Sequence, residues 1–303
     1  MRSRTQALWL LHFTVFIWGF TGILGKLIQQ STVHLVFTRT VIGLVGMVAV
    51  ALWMKRSLSP RIPDLRQYLL TSLLITAHWI TFYGAIKISS ASIAAGCLST
   101  STVFTALMEP FWFKRRIRRS EVFLGVVVVA ALLLIFGLET RYRLGIVVSV
   151  ASALLSAWFN VVNGVLVKRG DAIRIGFYEM LGVAVVLGAW LLFTHDLPPP
   201  VWRLEGMDPW YQLALGLGCT TFAFVAGIAV MRQLSPFTVM LTVNLEPVYT
   251  ILIALLIWGK GEQLKAGSYL GLALILACLF LNGWMQRRKP AREVTEPDPL
   301  VQG

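Results

Sequence analysis

Apolar residues occupy the chain in long unbroken blocks, separated by short polar connectors, from near the first residue to about residue 285. A helix needs about 20 such residues to cross a hydrocarbon layer roughly 30 Å thick. The blocks lack the period-two alternation of a membrane barrel strand, so each is predicted to be a helix that satisfies its own backbone. Ten spans are expected, at 7–28, 33–54, 67–87, 91–113, 121–137, 144–166, 174–194, 210–231, 235–258 and 266–285. The connector 195–209 holds Pro198, Pro199, Pro200 and Pro209, which forbid a continuous helix there. The fold class is an all-α integral membrane protein.

Composition agrees with that pattern. Of 303 residues 57% are hydrophobic and 14% charged, with a mean hydropathy of +0.73, whereas soluble domains carry about 25% charged residues. A water-soluble enzyme is excluded on this ground. The net charge of +13 would suit a nucleic-acid partner, but the cations sit in the connectors, where they set topology instead. Counted by side, 19 Lys and Arg fall with the N-terminus and six on the opposite face, with Lys26 and Arg39 inside spans. Both termini are therefore expected in the cytoplasm, in a multi-pass protein of the plasma (inner) membrane. The segment from Ala7 to Ile28 has no small-residue cleavage site after it and reads as a retained helix. Cys97, Cys219 and Cys278 each fall in an apolar run without metal-ligand spacing, so buried free thiols are expected.

The chain is also written twice. At an offset of 140, Trp18 falls on Trp158 and Phe37 on Phe177; at 145, Lys87 falls on Arg232, Ser90 on Ser235 and Thr105 on Thr250. The unit is five spans, giving a first repeat over 1–138, a second over 141–287 and a disordered cytoplasmic tail over 288–303. An odd number of crossings inverts the second copy, the plan of many secondary transporters.

Ionisable groups inside spans cost at least about 2.5 to 3.5 kcal/mol on insertion scales, so each is a functional candidate. Arg39 and Glu179 are repeat equivalents, displaced to opposite sides of the midplane; they read either as gating charges or as interhelical ion pairs or hydrogen bonds. Glu246 lies at the centre of the ninth span, followed by Pro247, which allows a helix bend that exposes backbone acceptors. A desolvated carboxylate there suits substrate binding or proton coupling; the structural alternative is a hydrogen bond to Thr220 and Thr221. Asn244 precedes it, and the run Ser99 to Thr102 is its counterpart in the fourth span, able to line a cavity or to glue helices. His78, with Trp79 and Tyr83, could sense protons and stack a planar group, or simply pack. Trp18 and Trp158 lie near mid-depth, away from the interfacial belts, and Asn160 and Asn163 add amides to the sixth span. Lys26 reads as a snorkelling cation or a contact to an anionic substrate. Gly19, Gly22 and Gly25 form a smooth packing strip.

Two stretches carry a resemblance. Phe16, Ile17, Trp18, Gly19 and Phe20, and Asn244 to Tyr249 followed by Gly259, Lys260, Gly261 and Glu262, resemble the drug/metabolite transporter superfamily and its EamA-type permeases. The resemblance covers nearly the whole chain as two EamA repeats and implies transport, often export, of small metabolites such as amino acids. The first repeat departs from the pattern: Thr102 stands where the second has Pro247, so that half is expected to bend elsewhere.

The reading is a carrier of a small molecule, with protons as a candidate coupling ion. Charges of both signs suit a zwitterion, and the aromatics suit a planar ring. A channel or a non-transport scaffold is the alternative from another class. The sequence has no metal-ligand motif, nucleophile elbow or phosphate loop, so neither an enzyme nor a cofactor is expected. A monomer and a homodimer both fit.

Overall fold

The computed structural model describes residues 3–114, 116, 119–138, 142–259 and 265–287. Arg2, Arg115, Arg118, Arg141, Lys260, Gly261, Glu262 and the tail 288–303 lie outside the described residues. The described chain is helical: α1 (Arg4–Leu27), α2 (Thr32–Trp53), α3 (Leu65–Ile88), α4 (Ala91–Leu98), α5 (Ser101–Trp112), α6 (Arg119–Leu138) and α7 (Arg143–Arg169). There follow α8 (Ala172–Phe193), α9 (Asp208–Leu213), a π-helix (Ala214–Phe222), α10 (Ala223–Val230), α11 (Pro236–Val243), α12 (Glu246–Trp258) and α13 (Ala266–Arg287).

Among the described residues eight helical segments are long and apolar enough to cross a membrane: Arg4–Leu27, Thr32–Trp53, Ile62–Ile88, Ala91–Trp112, Arg143–Arg169, Ala172–Phe193, Asp208–Val230 and Pro236–Trp258. The fifth and tenth expected spans fall on α6 and α13, whose described apolar stretches are Val122–Ala131 and Tyr269–Cys278. Local chemistry sets several starts. Ser3, Ser31, Ser90, Asp171 and Ser235 each precede a helix and accept a hydrogen bond from a backbone N–H of its first turn. The prolines of 195–209 keep that connector from continuing α8.

Three expected single helices are interrupted. The fourth span divides at Ser99–Thr100 and the ninth at Asn244–Leu245, positions 145 residues apart. At both breaks the backbone makes shorter bonds three residues back: Thr100 N–H to Cys97 O at 3.1 Å and Leu245 N–H to Thr242 O at 3.0 Å. Pro247 stands second in α12, where its missing N–H costs nothing. The first half therefore breaks at the equivalent place without a proline, against the expectation that it bends elsewhere. Side-chain hydroxyls supply the competing bond: Thr100 Oγ1 donates to Cys97 O at 2.7 Å. The eighth span holds the π-helix, in which Thr220 and Thr221 donate to carbonyls five residues back, Leu215 O at 3.0 Å and Gly216 O at 3.1 Å.

The two halves interleave. α3 packs on α7 and α8, α2 on α8 and the π-helix, α1 on α10 and α12, α5 on α7, and α6 on α13. Close approach at α1 depends on its glycines: a Cβ at Gly19 would stand 2.5 Å from Cβ of Tyr249, and one at Gly25 2.5 Å from the Tyr83 ring. The packing strip read from the sequence is in place. All three cysteines are buried and free, as expected. Lys26 Nζ lies 4.1 Å over the Trp258 ring, so a cation–π contact holds the side chain that the sequence assigned to headgroups or substrate.

Candidate functional site

Residues flanking the helix breaks and residues of the π-helix help to line a cavity of about 70 Å³. α1 contributes Trp18 and Thr21, α2 Arg39, and α3 His78, Trp79 and Phe82. α7 contributes Ser156, Phe159, Asn160 and Asn163 at helical spacing, and the later helices close the site with Cys219, Phe224, Met240, Val243 and Glu246. Aromatic rings thus form much of the wall, and the two opposite charges reach it from α2 and α12.

Arg39 is 2% exposed and held by three residues. Its Nε and Nη2 donate to Thr220 Oγ1 at 3.1 and 2.8 Å, its Nη1 donates to the Tyr83 hydroxyl, and its guanidinium lies 4.0 Å over the Trp79 ring. These contacts fix the plane of a cation that has no carboxylate partner among the described residues. The Thr220 that the sequence offered to Glu246 is thus bonded to Arg39, and Thr221 donates to Gly43 O and Gly216 O. Glu246 is 5% exposed, lines the cavity and has no hydrogen-bond partner among the described residues. As first residue of α12 it sits where free backbone N–H groups favour a negative charge.

His78 is locked by a reciprocal pair with α7: Nδ1 meets Ser152 Oγ at 2.8 Å, and Ser152 Oγ donates to His78 O at 3.0 Å. Its ring also packs against Phe82 and Phe159, with centroids 6.0 and 5.5 Å away. Trp18 donates from Nε1 to Cys219 O at 3.3 Å, a carbonyl of the π-helix. Asn160 donates to Ser156 O at 2.9 Å. Among the sequence candidates, Glu246, Arg39, His78, Trp79, Trp18 and Asn160 come together at the cavity wall.

The others lie elsewhere. Tyr83 stands behind Arg39. Thr102 and Asn244 join the two broken helices through a 3.2 Å bond from Thr102 Oγ1 to Asn244 Oδ1, away from the cavity lining, and Ser99 is buried beside them at its break. Trp158 faces outward at 37% exposure; the neighbouring Phe159 takes the inward position. Glu179 is fully buried behind the wall and accepts from Asn163 Nδ2 at 3.3 Å. Arg39 and Glu179 therefore make hydrogen bonds where the sequence also allowed ion pairs, and they do not meet each other. Sequence reasoning missed Thr21, Ser156, Phe159 and Phe224. The signal for part of this set was present: Ser156, Asn160 and Asn163 recur at intervals of four and three, one polar stripe on an otherwise apolar helix.

The EamA-like transporter family matches the chain twice, over residues 5–137 and 143–284. The chain belongs to that family, and with it to the drug/metabolite transporter superfamily of membrane transporters. A solved crystal structure with 18% sequence identity superposes with a TM-score of 0.72 over 94% of this chain and 99% of the other, a likeness of fold. No curated protein matches.

Proposed function

We propose that this protein is a secondary carrier that exports a small zwitterionic, amphipathic metabolite of the amino-acid kind by alternating access. Ten spans form two inverted repeats of five, with both termini in the cytoplasm and the protein in the plasma (inner) membrane. The observation that carries this reading is Glu246: a buried carboxylate at a helix break, on the wall of a central cavity, with no hydrogen-bond partner among the described residues. A buried polar group left unpaired is costly unless a ligand or water completes it. Arg39, braced by Trp79, Tyr83 and Thr220, supplies the complementary cation.

In this mechanism the substrate carboxylate meets Arg39, its ammonium group meets Glu246, and its apolar part lies among Trp18, Phe159 and Phe224. Breaks at equivalent points of the two repeats let either half bend, so that the same site opens to each side in turn. Glu246 also takes up a proton when the substrate leaves, which couples efflux to proton entry, while His78 holds the wall. Membrane localisation and family membership support transport over catalysis.

The test is mass spectrometry of medium and cell extracts from cells producing wild type or Glu246→Gln at matched membrane levels. One metabolite class should move to the medium with wild type only. Equal movement with both variants would remove Glu246 from the site. Transport that neither moves protons nor changes with Glu246→Gln would end the coupling.

A further inference from the structure

Asn163 has one polar atom without a partner. It is 0% exposed and lines the cavity, its Nδ2 donates to Glu179 Oε2 at 3.3 Å, and its Oδ1 makes no hydrogen bond among the described residues. The amide thus gives its NH₂ group to Glu179 and keeps its carbonyl oxygen as the unpartnered atom. One turn back on the same helix face, Asn160 repeats the arrangement: its Nδ2 is tied to Ser156 O, which leaves its Oδ1 as the available atom. Each amide has one of its two N–H donors engaged in this way, and both stand on the wall that also carries the Glu246 carboxylate.

We infer that Glu179 is a positioning residue for substrate selectivity: it fixes the Asn163 amide so that Asn163, Asn160 and Glu246 present three acceptors to a substrate ammonium group. The inference rests on the carrier reading above and adds what that reading leaves open, namely why a carboxylate that does not touch the cavity lies behind it. Three acceptors match the three N–H bonds of a primary ammonium. A substrate lacking the amino group leaves them unpaired, and a buried unpaired acceptor is a stronger means of rejection than shape.

The experiment dialyses purified full-length protein in detergent against a mixture of three probe classes. These are the standard L-amino acids, the carboxylic acids that lack their amino group, and the amines that lack their carboxyl group, with retained compounds measured by mass spectrometry. Wild type should retain an ammonium-bearing compound at least about tenfold over its deaminated counterpart, the scale of one charged hydrogen bond. Glu179→Gln, which lets the Asn163 amide turn either way, and Asn163→Leu should each reduce that ratio to within about threefold. Asn163→Asp should keep it, because an acceptor oxygen still faces the cavity while one proton is shared with Glu179. Glu179→Gln is close to isosteric, so the test survives if Asn163→Leu does not fold. Retention with an unchanged ratio in Glu179→Gln overturns the positioning role and leaves the carrier reading standing. If wild type retains none of the three classes, the proposed substrate class falls and this inference falls with it.

Discussion

Lys87 and Arg232, 145 residues apart, close the ends of two different helices in the same way. Lys87 Nζ donates to Ile28 O at 3.2 Å, at the end of α1, and Arg232 Nη2 donates to Gly170 O, at the end of α7. A cation at a helix C-terminus satisfies an orphan carbonyl and favours the local dipole. The α1 end is further held by Asp208 Oδ2, which accepts from Gln29 N–H at 3.0 Å, and the α7 end by Arg61, which donates to Arg169 O. Two of the helices that supply residues to the cavity, α1 and α7, are thus anchored at their C-terminal ends by other parts of the bundle.

Removing either cap should loosen that anchor. Lys87→Met and Arg232→Met are each expected to cost about 1 kcal/mol, read as a lower unfolding midpoint of the purified protein. Equal midpoints for wild type and both variants would show that the caps carry no stability.

The close contact of α1 gives a second expectation. Gly25→Ala drives a methyl group into the Tyr83 ring, whose hydroxyl holds Arg39. Overpacking of this kind costs about 1 to 3 kcal/mol, and here it also displaces the guanidinium. Transport should fall more than stability does. By contrast Gly84→Ala inside α3, where an added Cβ meets nothing within 4 Å, should leave flux unchanged and the unfolding midpoint equal to or above that of wild type.

Arg39 should not tolerate lysine. The planar guanidinium stacks on Trp79 and spans Thr220 and Tyr83, and an ammonium group can reproduce neither the stack nor the fork. Arg39→Lys should reduce flux at least about tenfold with near-normal expression, a loss of roughly 1.4 kcal/mol in substrate interaction. Thr220→Val should cause a smaller loss of the same kind. Flux in Arg39→Lys equal to wild type would show that only the charge matters.

How far the sequence foresaw this can be judged from single residues. Helix positions were legible because long apolar runs have no other use in a bilayer, and caps such as Ser90 and Ser235 mark their starts. Buried charges were legible too, since Arg39, Glu179 and Glu246 are rare in such runs. Which way each side chain turns was not. Trp158 and Phe159 are adjacent and both aromatic, and only packing decides that Phe159 faces the cavity. The break at Ser99–Thr100 was hidden because hydroxyl-to-carbonyl bonds such as Thr100 to Cys97 O take the place of a proline. The π-helix has no proline or charge to announce it, yet it supplies the carbonyl that holds Trp18 and the hydroxyl that holds Arg39.

The most direct measurement of the central claim is counterflow in proteoliposomes loaded with the metabolite identified from cells, for wild type and Glu246→Gln. The account expects saturable uptake of labelled metabolite that unlabelled metabolite on the far side accelerates in wild type, and a loss of at least about tenfold in Glu246→Gln, the scale of a charged hydrogen bond. Flux that rises linearly with concentration, ignores the far side and is the same in both proteins would contradict a carrier built around this cavity.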